Sequence, residues 1–504
     1  MNVPNRFVEL KTRLAEIHDL GKVASLLSWD QAVTMPPGGA PARAEQMATV
    51  GRLAHELFTR PEIGRMLDDV TAYEASLPYE SDDACLIRAT RYDYERATKV
   101  PSELRGEMTR VASLSRSAWA GARANSDFAA FQPFLQQTID LKKRYVDCYA
   151  PTGDPYDVLL DDFERGMKSV EVRRIFSELK AAIVPLIAAI AERSDTVDDR
   201  CLHGEFPIDR QREVCLTILR RFGYTDGEWR FDPTAHPFAS NTSLGDIRLT
   251  TRYYKDNLAP SLFGSMHECG HGLYEHGISP SLERTPLCRG TSLGIHESQS
   301  RLWENLVGRG RAAWRFFLPE LKNAFPQLSN VDLETFYRAI NKVQPGLIRV
   351  EADELTYGLH VVLRFELEQE MLSGTLPLNE LPDAWNARMK SYLGVDVPDA
   401  ARGVLQDVHW SLGYVGYFPT YVIGSIASAQ IWEKAIAAMP GLEQQFEQGE
   451  FMPLREWLRE NLHQYGRKFT PQETLQKVTG SEAVLVGPYV QYLTAKFSEI
   501  YGLS

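Results

Sequence analysis

The 504-residue chain carries 55 Lys and Arg against 67 Asp and Glu, a net charge of -12, with 44% apolar and 24% charged residues. This is globular composition with an acidic balance, which argues against phosphate backbones and anionic lipid: neither nucleic acid nor membrane is an expected partner, and small or peptidic molecules are. Six cysteines (Cys85, Cys148, Cys201, Cys215, Cys269, Cys288) form no CxxC pair, so reduced thiols and a cytoplasmic location are expected, and sulfur-held zinc is not.

The charged amino terminus lacks the apolar core and cleavage site of a secretory signal. Residues 6 to 31 read as one helix, "MPPGGAP" (35 to 41) ends it, and a second helix resumes near Arg43. Ser102 is expected to cap "ELRGEMTRVASLSRSAWAGARA", and a Ser/Asp pair after Asn125 opens the next helix. "AAIVPLIAAIAE" is too short to span a bilayer and contains Pro185. "DRQREVCLTILRRFGY" is amphipathic and stops at Gly223. Between 228 and 256, "EWRFDP", "HPFAS" and "GDIRLTTRYY" bring aromatics, Thr and alternation, which predict a small antiparallel sheet. A helix follows from near Ala259 to Gly277, and "GIHESQSRLWENLVG" forms another about two dozen residues on. The fold class is therefore mainly α. With no repeat or flexible linker, residues 1–504 are expected to form a single catalytic unit with two helical halves flanking a groove.

The helix beginning near Ala259 contains "HECGH". His267 and His271 leave one helix face from adjacent turns, with Cβ atoms about 5–6 Å apart, so both can reach one ion at the roughly 2.0–2.1 Å that zinc requires. Glu268, next to the first histidine, is placed to act as general base toward water. A third ligand must come from elsewhere. His276 falls one residue short of the HExxHxxGxxH register, whose third histidine position is Gly277. Glu297, near the start of the next helix, is the better candidate; Glu304, two turns later, is less easily aimed at the same point. His296 reads as a packed or hydrogen-bonded neighbour and Cys269 as a small core-facing residue. Three protein ligands with an adjacent carboxylate imply amide hydrolysis.

These residues resemble the metallocarboxypeptidases of peptidase family M32, typified by carboxypeptidase Taq. The likeness runs through "LLSWDQAVTMPPGGAPARAEQMATVGRLAHE", "HPF" (236 to 238), "DIRLT" (246 to 250), "HECGH", "HESQSR", "IRVEAD" (348 to 353), "GVLQDVHW" (403 to 410) and "GYFPTY" (416 to 421). The resemblance implies a helical gluzincin-type peptidase with a deep active-site groove and a small sheet at its edge. It implies one zinc ion per chain, which cobalt can replace, held by His267, His271 and Glu297 with Glu268 as base. It also implies removal of single residues from peptide carboxyl termini with broad preference, and a homodimer. Cys269 departs from the family's usual Phe without touching a ligand position.

Beside the resemblance, His409, Tyr417 and Tyr421 lie in an aromatic, Gly-broken segment suited to donating toward an oxyanion, with core packing as the alternative. His236 offers a contact to substrate backbone or oxyanion, or a structural histidine in a turn. Arg349 is the first choice for a terminal carboxylate, although carboxylates in "RVEADE" offer it internal pairing. Gln406 is assigned to substrate binding and Asp407 to orienting the site, while Arg248 is expected to pair with Asp246. The rival activities are an oligoendopeptidase cutting internal bonds, with the same zinc chemistry, and a catalytically silent peptide-binding scaffold.

Overall fold

A computed structural model describes residues 3–503, and helices dominate them. The chain divides into two interleaved units. The first takes the chain up to Thr98, Asp199–Ile340 and Ile431–Ala483; the second takes Lys99–Asp198, Asn341–Gln430 and the chain from Val484.

In the first unit the amino-terminal helix α1 (Val3–Val33) buries Phe7, Leu10 and Leu14, whose three- and four-residue spacing forms one stripe against Ile63, Met66, Leu67, Leu86 and Ile87. The Pro/Gly stretch after it tightens into a 3-10 turn, Pro37–Gly39, before the helix Ala40–Phe58.

Three strands follow in this unit: β1 (Trp229–Pro233), β2 (Ala239–Ser243) and β3 (Asp246–Thr251). The sheet order is β1-β3-β2, with β2 antiparallel to β3 but β1 parallel to it. The sheet is thus mixed, not antiparallel as expected. Leu244 and Gly245 close a tight β2–β3 hairpin, whereas β1 ends on Pro233 and the connection after it carries Pro237 and leads away from a β1–β2 hairpin. With β2 on one edge of β3, the other edge is left for β1, which reaches it through β2 and its loops as a parallel partner.

The helix α2 (Ala259–His276) packs on this sheet, and α3 (Leu293–Arg301) runs on into a π-helical turn, Leu302–Val307. Two glycines set how closely α2 lies to its neighbours. A Cβ on Gly272 would stand 2.7 Å from the Trp229 ring, and one on Gly270 would stand 2.4 Å from the Gln299 carbonyl oxygen in α3.

In the second unit the helices Ser102–Asn125 and Phe128–Asp147 pair. Ser102 is the first helical residue rather than the cap: Pro101, with φ fixed at -57, precedes it, and no side chain caps this end. Asp127 does cap the next helix, accepting from the Ala130 amide at 3.1 Å. The apolar run with Pro185 belongs to the helix Ser169–Ala191, which buries Ile183, Ile187 and Ile190. Among the described residues no helix is long and apolar enough to cross a membrane. The helix α4 (Tyr357–Ser373) is buried nearly all round, yet carries His360, Arg364 and Glu368 at four-residue intervals along one face.

Candidate active site

On α2, His267 and His271 project together as their spacing predicts, and Glu297 from α3 meets them. Their ligand atoms all lie within 4.8 Å of one another. His267 Nε2 and His271 Nε2 stand 3.6 and 3.5 Å from Glu297 Oε2. Those separations are near the roughly 3.3 Å edge of a tetrahedron whose ligands lie about 2.0–2.1 Å from a central ion. The donor set, two imidazoles and a carboxylate, suits a borderline divalent ion such as zinc. Gly270 makes this convergence possible, because any side chain there would push α3, and Glu297 with it, away from the histidines.

Each ligand is held from behind. Arg301 Nε donates to Glu297 Oε1 at 2.7 Å and Ser300 Oγ to Oε2 at 3.0 Å. Burial opposes ionisation of Glu297, but Arg301 and the two imidazoles hold it well below the usual carboxylate range. His267 Nδ1 lies 2.9 Å from Glu304 Oε2. Burial would raise Glu304, yet Arg301 and His267 hold it at about 2. Glu304 is therefore a carboxylate partner of a ligand, a role the sequence reading did not give it. It stands in the π-helical turn, whose wider winding shifts its angular position from that of a regular helix.

His271 Nδ1 faces His296 Nδ1 at 2.6 Å, so His296 is the hydrogen-bonded neighbour expected. Burial first, only partly offset by Glu297, lowers His271 to about 4 and keeps its imidazole neutral, as a ligand must be. Glu268, on the same helix, is buried, and burial pushes its carboxyl up to about 7, the range of a base working near neutrality.

The neighbouring candidates sort themselves plainly. His276 turns to Glu228 (3.0 Å) and Arg455 (3.0 Å) and is no part of the cluster. Cys269 is fully buried and its thiol is pushed far up by burial, which makes it a packing residue. Arg248 forms a two-pronged pair with Asp246 at 2.8 and 2.7 Å and lies over the Trp29 ring. His236 is exposed in the connection between β1 and β2, apart from the ligand triad.

The second unit gathers the remaining candidates into a cluster of its own. Arg349 donates to Asp407 Oδ1 through Nε (3.1 Å) and Nη2 (2.9 Å), while Arg364 Nε donates to Asp407 Oδ2 at 2.7 Å. Two guanidiniums thus share one carboxylate, and they hold Asp407 far below its usual range against burial. The partner of Arg349 is Asp407, not a neighbour within "RVEADE". Gln406 accepts from the Arg349 amide at 2.9 Å and donates to the Leu347 carbonyl at 2.9 Å, so its amide secures the backbone that carries Arg349. His409 Nε2 lies 3.3 Å from the Tyr421 hydroxyl, with the Tyr417 ring 5.3 Å from both rings. Burial lowers His409 to about 4, leaving it neutral near pH 7. Arg364 and Glu368 were missed in the sequence, although polar residues every fourth position in an apolar helix are a legible signal.

The family described as carboxypeptidase Taq (M32) metallopeptidase matches residues 9–497. The chain belongs to the M32 family. This M32 metallocarboxypeptidase is 40% identical over 492 residues to thermostable carboxypeptidase 1 of Thermus thermophilus, covering 96% of each chain. Among solved structures it resembles the M32 carboxypeptidase of Deinococcus radiodurans at a TM-score of 0.95 and 40% identity, covering 99% of this chain and 100% of that one. It also resembles metallocarboxypeptidase 1 of Trypanosoma cruzi at a TM-score of 0.94 and 30% identity, over 98% and 99%. As a member of this family it acts on peptides.

Proposed function

We propose that this M32 carboxypeptidase uses zinc, with cobalt as a competent substitute, to release single residues from peptide carboxyl termini with broad side-chain tolerance. The observation that carries the reading is Glu268: a buried carboxyl raised to about 7, one residue from a ligand histidine, in a cluster of two imidazoles and a carboxylate. When bound, such an ion polarises the scissile carbonyl and acidifies water. Glu268 takes a proton from the attacking water on its carboxylate and delivers it to the leaving amine, and burial matches its basicity to both steps.

For the other candidates the support is chemical. Neutral His409 and the Tyr421 and Tyr417 hydroxyls are groups able to donate to a carbonyl oxygen as it gains negative charge. Arg349 is the proposed partner of the substrate's terminal carboxylate, because it shares Asp407 with Arg364 and its Nη1 makes only a long bond, 3.3 Å to the Tyr357 hydroxyl, among the described residues. Gln406 serves that role through the Arg349 backbone, and exposed His236 is assigned to substrate main chain. That the six cysteines are thiols rather than disulfides supports a reducing, cytoplasmic setting. A homodimer of the 57.0 kDa chain is the proposed assembly, tested by light scattering.

The deciding experiment offers peptides with free or amidated carboxyl termini to wild type and Glu268→Gln, with chelator and with zinc added back. Stepwise loss of terminal residues from the free peptide alone, abolished by chelator, is expected. The Glu268→Gln rate should fall about 10²–10⁴-fold with zinc content unchanged. Internal cleavage of the amidated peptide would replace the exopeptidase reading with an endopeptidase, and absence of turnover in zinc-loaded protein would replace it with a peptide-binding scaffold.

A further inference from the structure

The two ligand histidines are backed differently. His267 meets a carboxylate, Glu304, directly, whereas His271 meets a second imidazole, and behind that ring three more hydrogen bonds continue in line, with a fourth branching from Glu275. His296 Nε2 lies 2.9 Å from Glu275 Oε1, which also accepts from the Gly290 amide at 3.0 Å. Asn241 Nδ2 donates to Glu275 Oε2 at 3.2 Å, and Lys22 Nζ donates to Asn241 Oδ1 at 2.9 Å.

The polarity of this chain is fixed from its far end. An ammonium has donors only, so Lys22 makes Asn241 present its oxygen to α1 and its NH2 to Glu275. A carboxylate receiving that NH2 and the Gly290 amide is an acceptor, so His296 must donate to it through Nε2. In the tautomer with its proton on Nε2, His296 offers a lone pair at Nδ1, which is met by the Nδ1 proton of His271. That tautomer leaves the Nε2 lone pair of His271 directed toward the other two ligands. Every link has one donor and one acceptor, and reversing any one of them would set two donors or two acceptors face to face.

The packing holds the same arrangement. The His296 ring lies 4.7 Å from His271 and 5.1 Å from Tyr274, and a Cβ on Gly290 would stand 2.7 Å from His296 Cδ2, so only glycine lets this loop reach Glu275 past the ring. Burial would raise the Glu275 carboxyl, but the bond from His296, with Lys22 and Gly290, leaves it below its ordinary range.

We infer that Lys22, Asn241, Glu275 and His296 are positioning residues that set the tautomer and ring orientation of His271 for metal binding, acting through one directional hydrogen-bond chain from α1 across β2 to α2. Hydrogen bonds behind a ligand histidine typically change metal affinity about 10- to 100-fold, and here that control extends to a lysine at the wall of a cavity of about 410 Å³. The inference rests on the metal reading of the His267, His271 and Glu297 cluster.

Its test is zinc affinity, measured by chelator competition on the full chain, with circular dichroism and thermal unfolding as folding controls. Glu275→Gln sets an amide NH2 against either His296 or Asn241 and should weaken zinc binding about 10- to 100-fold. Lys22→Met, remote from the ion on a partly exposed surface, should weaken it severalfold, and Lys22→Arg should restore most of the loss. Wild-type affinity in both Glu275→Gln and Lys22→Met would overturn the inference, as would equal losses in Lys22→Met and Lys22→Arg. If Glu275→Gln fails to fold, the two Lys22 variants decide the matter by themselves. Failure of the wild type to bind zinc would overturn the metal reading instead.

Discussion

The two units bury charge in opposite ways. Around the first unit's ligands, Glu297 and Glu304 share the single guanidinium of Arg301, and the two imidazoles keep nitrogens facing Glu297 at a spacing suited to a shared ion. In the second unit Arg349 and Arg364 close onto Asp407, and Glu368, whose carboxyl burial raises to about 7, is wrapped by Tyr156, Trp410 and the Gly416 amide rather than by a cation. A buried charge must be neutralised by something, and the difference lies in whether the protein supplies the partner. Damage to the first cluster should therefore register mainly as lost metal affinity, and damage to the second as lost stability.

The largest expected effect tests the second half of that contrast. Asp407→Asn leaves two buried guanidiniums with a neutral partner and should lower stability by about 3–5 kcal/mol in denaturant titration, with zinc affinity unchanged. Loss of zinc affinity without loss of stability would break the comparison.

Next is a pH effect at Glu368. Burial raises this carboxyl to about 7 despite three donors, so the folded state keeps a proton that the unfolded chain releases near the ordinary glutamate value of 4.5. The folded state binds more protons across that window, so stability from this group is full below about pH 4.5 and is lost as pH rises through about 7. The wild type should lose roughly 3 kcal/mol over that range relative to Glu368→Gln. Parallel pH profiles of the two proteins would contradict the shift.

Gly270→Ala sharpens the contrast from the other side. The added methyl would meet backbone atoms of Gln299 and Ser300 at 2.4 and 2.6 Å, forcing α2 and α3 apart. A stability loss of about 1–3 kcal/mol is expected together with weakened zinc binding, because Glu297 moves with α3. Tight zinc binding in this variant would show that Glu297 reaches the ion without the close helix approach.

The smallest change is Glu304→Gln, which keeps an acceptor for His267 Nδ1 but removes the charge. Zinc affinity should fall about 10-fold or more while the denaturation midpoint stays within error. A midpoint shift without an affinity change would mean that Glu304 belongs with Glu368 as a structural carboxylate.

The sequence by itself determined whatever depends on geometry within one element. Four residues between His267 and His271 put two imidazoles on one helix face, and Glu268 follows without further assumption. Glu297 came from its place on the next amphipathic helix and from the family's motifs, and the helical class came from periodicity that packing did not override. Only the tertiary structure decided which distant groups meet. Glu304 became a ligand's partner through the π-helical turn, and β1 took, in parallel, the edge of β3 that the β2–β3 hairpin leaves open. Asp407 answered Arg349 across 58 residues although carboxylates stood beside it in the chain. Lys22 entered the support of His271 from a helix more than two hundred residues away, through Asn241. Helical spacing is a local property of the backbone, fixed by 3.6 residues per turn, whereas the partner of a buried charge is fixed by which surfaces pack together, and no short stretch of sequence encodes that.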